Sequence, residues 1–253
     1  GDLCQNSANQ SVYASSLGAG LELLLNPTLD EVKSETIVAM GDPRPAEENN
    51  FIGFFSLNRA ETRSKTKVPN IYPPLPNAAS EVQSISAMFS SKSVHLGTEG
   101  SLRQALKNTE EMSKKGRDPY LLLATHGIEP GISEQAVLPS LLSSEGASLE
   151  LVSTAEIYGT ELSGAIVSLS ACQTASGLTG DSGQHLSGFP TAFADAGAKL
   201  IAASLWNVSD MTSKRFSEAF FLSLKNSNSF LKASQAAREA VSPIESAPYV
   251  FIY

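Results

Sequence analysis

The stretch 119-PYLLLATHGIEP-130 decides the fold. Its run 120–125 is apolar up to Thr125 and shows no alternation. A strand in the middle of a parallel sheet has this character, because helices cover both of its faces. A histidine and a glycine stand at its tip. The segment 164-GAIVSLSACQTASG-177 repeats the design, with a β-branched run and then a small polar tip that carries Cys172. Two more runs of the same kind are 36-TIVAMGDP-43, stopped by Gly-Asp-Pro, and 199-KLIAASLW-206.

Helical patterns separate these runs. From Asn77 the residues Ala78, Val82, Ile85, Ser86 and Phe89 recur at helical spacing. The stretch 98-TEGSLRQALKN-108 reads as a capped helix with Thr98 or Ser101 as N-cap, after a short strand at 93–97. Further helices are expected at 153–159, 186–198, 209–226 and 229–241, and a last strand at 249–253. Strand and helix in alternation, joined by short connections, predict an α/β sandwich of three layers with a mainly parallel central sheet flanked by helices. Residues 1–253 read as a single domain. The Pro-rich polar stretch 44–76 and the irregular stretch 128–152 are excursions, the second holding a hairpin near the rim. The start, 1-GDLCQNSANQ-10, reads as a fragment boundary.

Composition excludes several functions. The net charge is −8, against the basic surface that a grip on phosphate backbones needs, so no nucleic acid is expected to bind directly. Arg59, Arg63, Lys65 and Lys67 fall in one polar stretch and read as a solvated loop. No apolar run approaches the roughly 20 residues of a membrane span. Cys4 and Cys172, the two cysteines, suggest free thiols in a reducing, cytoplasmic setting. With three histidines and neither CxxC nor HExxH, no metal and no cofactor is expected.

Functional groups in an open parallel sheet gather beyond the carboxyl ends of the strands. His126 and Cys172 both stand there, and if their strands are neighbours the imidazole and the thiol share one crevice. A thiol is a strong nucleophile only as thiolate, and a histidine beside it takes its proton. Gly127 lets a substrate backbone come close, and its N–H with that of Cys172 makes the donor pair that an oxyanion needs. The loop 173-QTASGLTGDSG-183 is small enough in its side chains to wrap an extended peptide. Each tip also has a plainer reading, Cys172 as a small core filler and His126-Gly127 as a turn. An Ala-Cys pair with a histidine about 50 residues upstream matches a caspase spacing. His95 reads as a satisfied core or edge histidine, and His185 as a loop residue.

The segments 121-LLLATHG-127, 166-IVSLSACQTASG-177 and 195-DAGAKLIAASLWNVSDMTS-213, in this order and spacing, resemble a CHAT domain. So do 38-VAMGDP-43, 75-LPNAASEVQSISAMF-89 and 94-VHLGTEGSLRQAL-106. CHAT domains are caspase-like (clan CD) cysteine peptidases, in the group that holds caspases, separases, gingipains and legumain. The resemblance implies a cysteine endopeptidase that cleaves a protein partner with His126 as general base and Cys172 as nucleophile. Gly127 and Cys172 would supply the oxyanion donors. It also implies regulation by a helical-repeat domain or partner and work in bacterial defence or signalling. In separase-like relatives an acid in the stretch resembling 205-LWNVSD-210 holds a basic P1 side chain. Here Asn207 stands in the first acidic slot and Asp210 is retained, though Asp210 equally suits a helix cap. Asp181 and Trp206 are further expected pocket residues. The alternative is a catalytically inactive interaction module of the same fold. A nucleotide binder lacks its GxGxxG or GxxxxGK[ST], and a serine hydrolase its GxSxG.

Overall fold

The computed structural model describes residues 12–13, 34–45, 72–131, 136–146, 148–171, 188–204 and 208–252. In chain order the strands are Val12–Tyr13 (β1), Thr36–Gly41 (β2), Ser91–Leu96 (β3), Tyr120–Ala124 (β4), Gly127–Ile128 (β5), Ser140–Glu145 (β6), Ser148–Ser153 (β7), Ile166–Leu169 (β8), Leu200–Ser204 (β9) and Tyr249–Ile252 (β10). The helices are Pro76–Ser86 (α1), Leu102–Ser113 (α2), Thr154–Tyr158 (α3), Phe189–Asp195 (α4), Asp210–Ser227 (α5), Phe230–Glu239 (α6) and Pro243–Ser246 (α7).

Side chains along a strand point alternately to opposite faces, and the apolar runs therefore feed two cores at once. On β2, Val38 and Met40 join one apolar cluster, while Ile37 and Ala39 join the other. On β4, Leu121 and Leu123 go with the first, and Tyr120 and Leu122 with the second. Leu102 and Leu106 of α2, Ile157 of α3 and Phe193 of α4 complete the first layer. Val82 and Ile85 of α1, Phe220 of α5 and Phe230 of α6 complete the second. In this layer Phe216 stacks on Tyr249 with centroids 3.6 Å apart. The sheet order is β1-β10-β9-β8-β4-β2-β3, and β9–β10 is its antiparallel pairing among the described residues. The expected three-layer sandwich with a mainly parallel sheet is the architecture found.

Local chemistry sets the helix starts. Ser101 caps α2 by accepting from the Gln104 N–H at 3.1 Å. Thr98, the other expected cap, lies instead in a 3₁₀ turn at Gly97–Glu99. Ser153 and Glu156 form a reciprocal capping box on α3. The stretch 128–152 contains the expected hairpin. It holds β6 and β7, which with β5 make a second, antiparallel sheet. The sequence pattern does not mark its individual strands, because buried serines stand among the apolar residues of β6. Ser143 Oγ accepts from Leu102 N–H at 2.9 Å, and Ser144 Oγ lies 2.8 Å from the Arg44 carbonyl. Both serines tie surrounding backbone to the rim sheet.

Helix α1 crosses the end of β2 at Gly41, and the absence of a side chain there is what admits it. A Cβ on Gly41 would stand 2.8 Å from Val82 Cγ2 and 3.2 Å from the Ala124 carbonyl oxygen. Gly41→Ala is expected to cost about 1–3 kcal/mol, the usual range for overpacking a tight core. A urea titration checks this, and an unchanged midpoint would mean that α1 has room to shift.

Candidate active site

Strands β4 and β8 are parallel neighbours, with Leu123 opposite Leu169. His126 and Cys172 each follow as the third residue beyond this pair. The backbone leading to Cys172 is held from both sides. Ser170 N–H donates to the Leu123 carbonyl at 2.8 Å, and Ser204 Oγ donates to the Ala171 carbonyl at 2.8 Å. Cys172 itself lies outside the described residues, as do Asp181, His185, Trp206, Asn207, Cys4 and the basic stretch at 59–67.

His126 is held at its backbone and at its ring. Thr125, buried beneath it, donates its hydroxyl to the Leu142 carbonyl at 2.8 Å, and Leu142 N–H donates to the His126 carbonyl at 3.0 Å. The ring packs against Tyr72, with centroids 5.5 Å apart and planes tilted by 42°. Nε2 lies 2.8 Å from the Pro73 carbonyl oxygen. A carbonyl only accepts, so the hydrogen of the neutral ring belongs on Nε2 and the basic lone pair on Nδ1. Because His126 and Leu142 share a hydrogen bond, Gly127, paired with Leu141, occupies the next, non-hydrogen-bonded position of the β5–β6 ladder. The ladder therefore does not consume the Gly127 N–H.

The segment that supplies the Pro73 carbonyl is fixed by two carboxylates. Asp42 Oδ1 accepts from Leu75 N–H at 2.7 Å. Asp210 Oδ2 accepts from Asn77 N–H at 3.0 Å. Asp210 thus does cap a helix, but across space. It satisfies the start of α1, whose own N-cap position is Leu75, while Ser209 caps α5 through the Thr212 N–H at 3.1 Å.

Sequence reasoning missed Glu81. It lies in the buried stripe of α1 and is completely buried. Its Oε2 accepts from Ser170 Oγ at 2.9 Å, and its Oε1 has no hydrogen-bond partner. Burial pushes its carboxyl up to about 8, against the pull of the Ser217 and Ser170 hydroxyls, and the negative charges of Asp210 and Glu218 add to the rise. An acid three residues after Ala78 and one before Val82, inside an apolar stripe, was the signal available. Tyr72 and Pro73 were equally unforeseen, since both fell in a stretch read as loop. The Tyr72 hydroxyl is buried without a hydrogen-bond partner, and burial raises its pKa. His95 fits its expected role on the edge strand β3. Its Nε2 lies 3.0 Å from Ser93 Oγ and 3.2 Å from Asn108 Nδ2, and burial lowers its pKa. Among the described residues no helix is long and apolar enough to cross a membrane.

Two solved structures are similar to the chain in outline. One is the Arg-specific cysteine proteinase gingipain R, with 10% identity and a TM-score of 0.49 over 94% of this chain and 52% of that one. The other is the complex of the Porphyromonas gingivalis RgpB pro- and mature domains, with 11% identity and a TM-score of 0.46 over 88% of this chain and 49% of that one. The chain thus spans about half the length of these structures. No curated protein matches it. The family model described as CHAT domain matches residues 8–249, nearly the whole chain, and the protein therefore belongs to the CHAT domain family.

Proposed function

We propose that the protein is a cysteine endopeptidase that cleaves a protein partner, with Cys172 as nucleophile and His126 as general base. The observation that carries this reading is the parallel pairing of β4 and β8, where Leu123 faces Leu169 and the two residues are each third in sequence beyond that pair. Nδ1 of His126 takes the thiol proton as the bond forms between Sγ and the scissile carbonyl carbon. The carbonyl electron pair moves onto oxygen, where the N–H groups of Gly127 and Cys172 stabilise it. When the tetrahedral species collapses, the C–N bond breaks and the leaving amine takes the proton back from the imidazolium. Water, giving a proton to Nδ1, then attacks the thioester and releases the acid and the thiol. Asp181, Trp206 and Asn207 are proposed to line the substrate pocket. Asp210 contributes there only through the part of its carboxylate that Asn77 does not use. Control by a helical-repeat domain or partner, a role in bacterial defence or signalling and a cytoplasmic setting complete the proposal.

Labelling by a peptide that carries a thiol-reactive electrophile tests it. Modification is expected at Cys172 in the wild type and at a much lower rate in His126→Ala. Equal labelling of the two would instead support a catalytically inactive interaction module.

A further inference from the structure

We propose that Asp42 is a positioning residue for His126, fixing the carbonyl that decides which imidazole nitrogen is the base. The inference rests on the reading of His126 as general base. Asp42 stands just past β2 with φ at +46°, a left-handed conformation that aspartate tolerates better than most residues. In this conformation its N–H donates to the Ala124 carbonyl at 3.0 Å, two residues before His126. Its side chain is turned the other way, onto Leu75 N–H at 2.7 Å. One residue therefore ties the end of the histidine's strand to the segment that touches the histidine's ring.

The tie is stiff for two reasons. Arg44 occupies the second carboxylate oxygen, with Nε at 2.7 Å and Nη2 at 2.5 Å from Oδ2, so the carboxylate has little freedom to rotate away from Leu75. Its bond to Leu75 is charge-assisted, and such bonds are roughly twice as strong as neutral ones. Between Leu75 N–H and the Pro73 carbonyl the chain runs through Pro74, whose ring locks φ. Holding Leu75 thereby aims the Pro73 carbonyl with few soft dihedrals left, and that carbonyl lies 2.8 Å from His126 Nε2. Asp210 pins the other side of the segment at Asn77. If Asp42 is lost, the Pro73 carbonyl can drift, and the imidazole proton is free to move to Nδ1, which silences the base.

The tautomer of His126 reads this directly. In ¹⁵N-labelled protein at high enough pH to keep the ring neutral, wild type is expected to show the proton on Nε2. Asp42→Ala should show a mixture of tautomers, and Asp42→Asn, which keeps an acceptor for Leu75, a smaller change. Alkylation of Cys172 by iodoacetamide should slow in Asp42→Ala by about ten- to a hundredfold at neutral pH, the scale on which loss of an orienting partner is felt. Its pH profile should move towards that of a free thiol. A folded Asp42→Ala protein with wild-type tautomer and wild-type alkylation profile overturns the proposal. If Asp42→Ala does not fold, the tautomer of Asp42→Asn decides, and an unchanged ring there counts against it. His126→Ala alkylated in parallel separates the two ideas. An unchanged profile in that variant defeats the base reading, while the tautomer measurement still reports on Asp42.

Discussion

Replacing His126 by alanine is expected to lower kcat/KM for a cleaved protein by roughly 10²- to 10⁴-fold, the usual contribution of a general acid–base group. Cys172→Ala is expected to abolish cleavage altogether. The two effects have different origins. Without an imidazole, the thiol titrates near its ordinary value of about 8.5, so only a few per cent is thiolate at neutral pH. Attack is slowed by that factor, and a second loss follows because no imidazolium protonates the leaving amine. Raising the pH should therefore rescue part of the His126→Ala defect, through thiolate formation, and none of the Cys172→Ala defect. Initial rates across pH 6–9 with matched substrate check this. Cleavage that persists in purified Cys172→Ala protein would sink the proposed mechanism.

The sequence exposes the two strand tips because their signal is local. The continuous apolar run before Thr125 and the β-branched run before Ser170 mark buried strands, and a polar residue just beyond such a run can only stand at the sheet's edge. The order of those strands is also legible, since consecutive parallel strands joined by a crossover tend to be neighbours. What surrounds the histidine is not legible in the same way. Pro73 acts through its carbonyl, a group that every residue has, so no side-chain pattern announces it. Asp42 reads as part of a Gly-Asp-Pro turn, and its grip on Leu75, 33 residues further on, has no local sequence signal. Asp210 was weighed as a cap for the helix it begins, whereas the N–H it satisfies belongs to α1, far away in sequence. On β6 the buried serines obscure the strand, because their burial is set by the backbone groups they bind, at the start of α2 and at Arg44, rather than by an apolar face.

Glu81→Gln should raise stability at pH 8 by several kcal/mol and remove most of the protein's stability loss between pH 5 and pH 8. The sign follows from where the proton sits. In the unfolded chain the Glu81 carboxyl titrates at 4.5, and in the folded protein burial pushes it up to about 8. Between those values the folded state keeps a proton that the unfolded state has released. Folding then becomes less favourable as pH rises, and the loss stops once pH passes about 8. At 1.36 kcal/mol for each pH unit, the whole window amounts to roughly 5 kcal/mol, and the part lost by pH 7 to about 3 kcal/mol. Glutamine has nearly the same shape, keeps an acceptor for Ser170 Oγ and carries no charge to desolvate. Its curve should meet the wild-type curve near pH 4.5 and lie above it at every higher pH. Urea titrations at pH 5, 6, 7 and 8 on both proteins measure the divergence. Parallel curves would mean that Glu81 ionises in the fold as easily as in water, which its complete burial and its unpartnered Oε1 argue against. Because Ser170 lies two residues before Cys172, the same titration has a local consequence. Glutamine at position 81 keeps an acceptor for Ser170 Oγ at the exit of β8 and removes the negative charge that ionisation of the wild-type carboxyl places there.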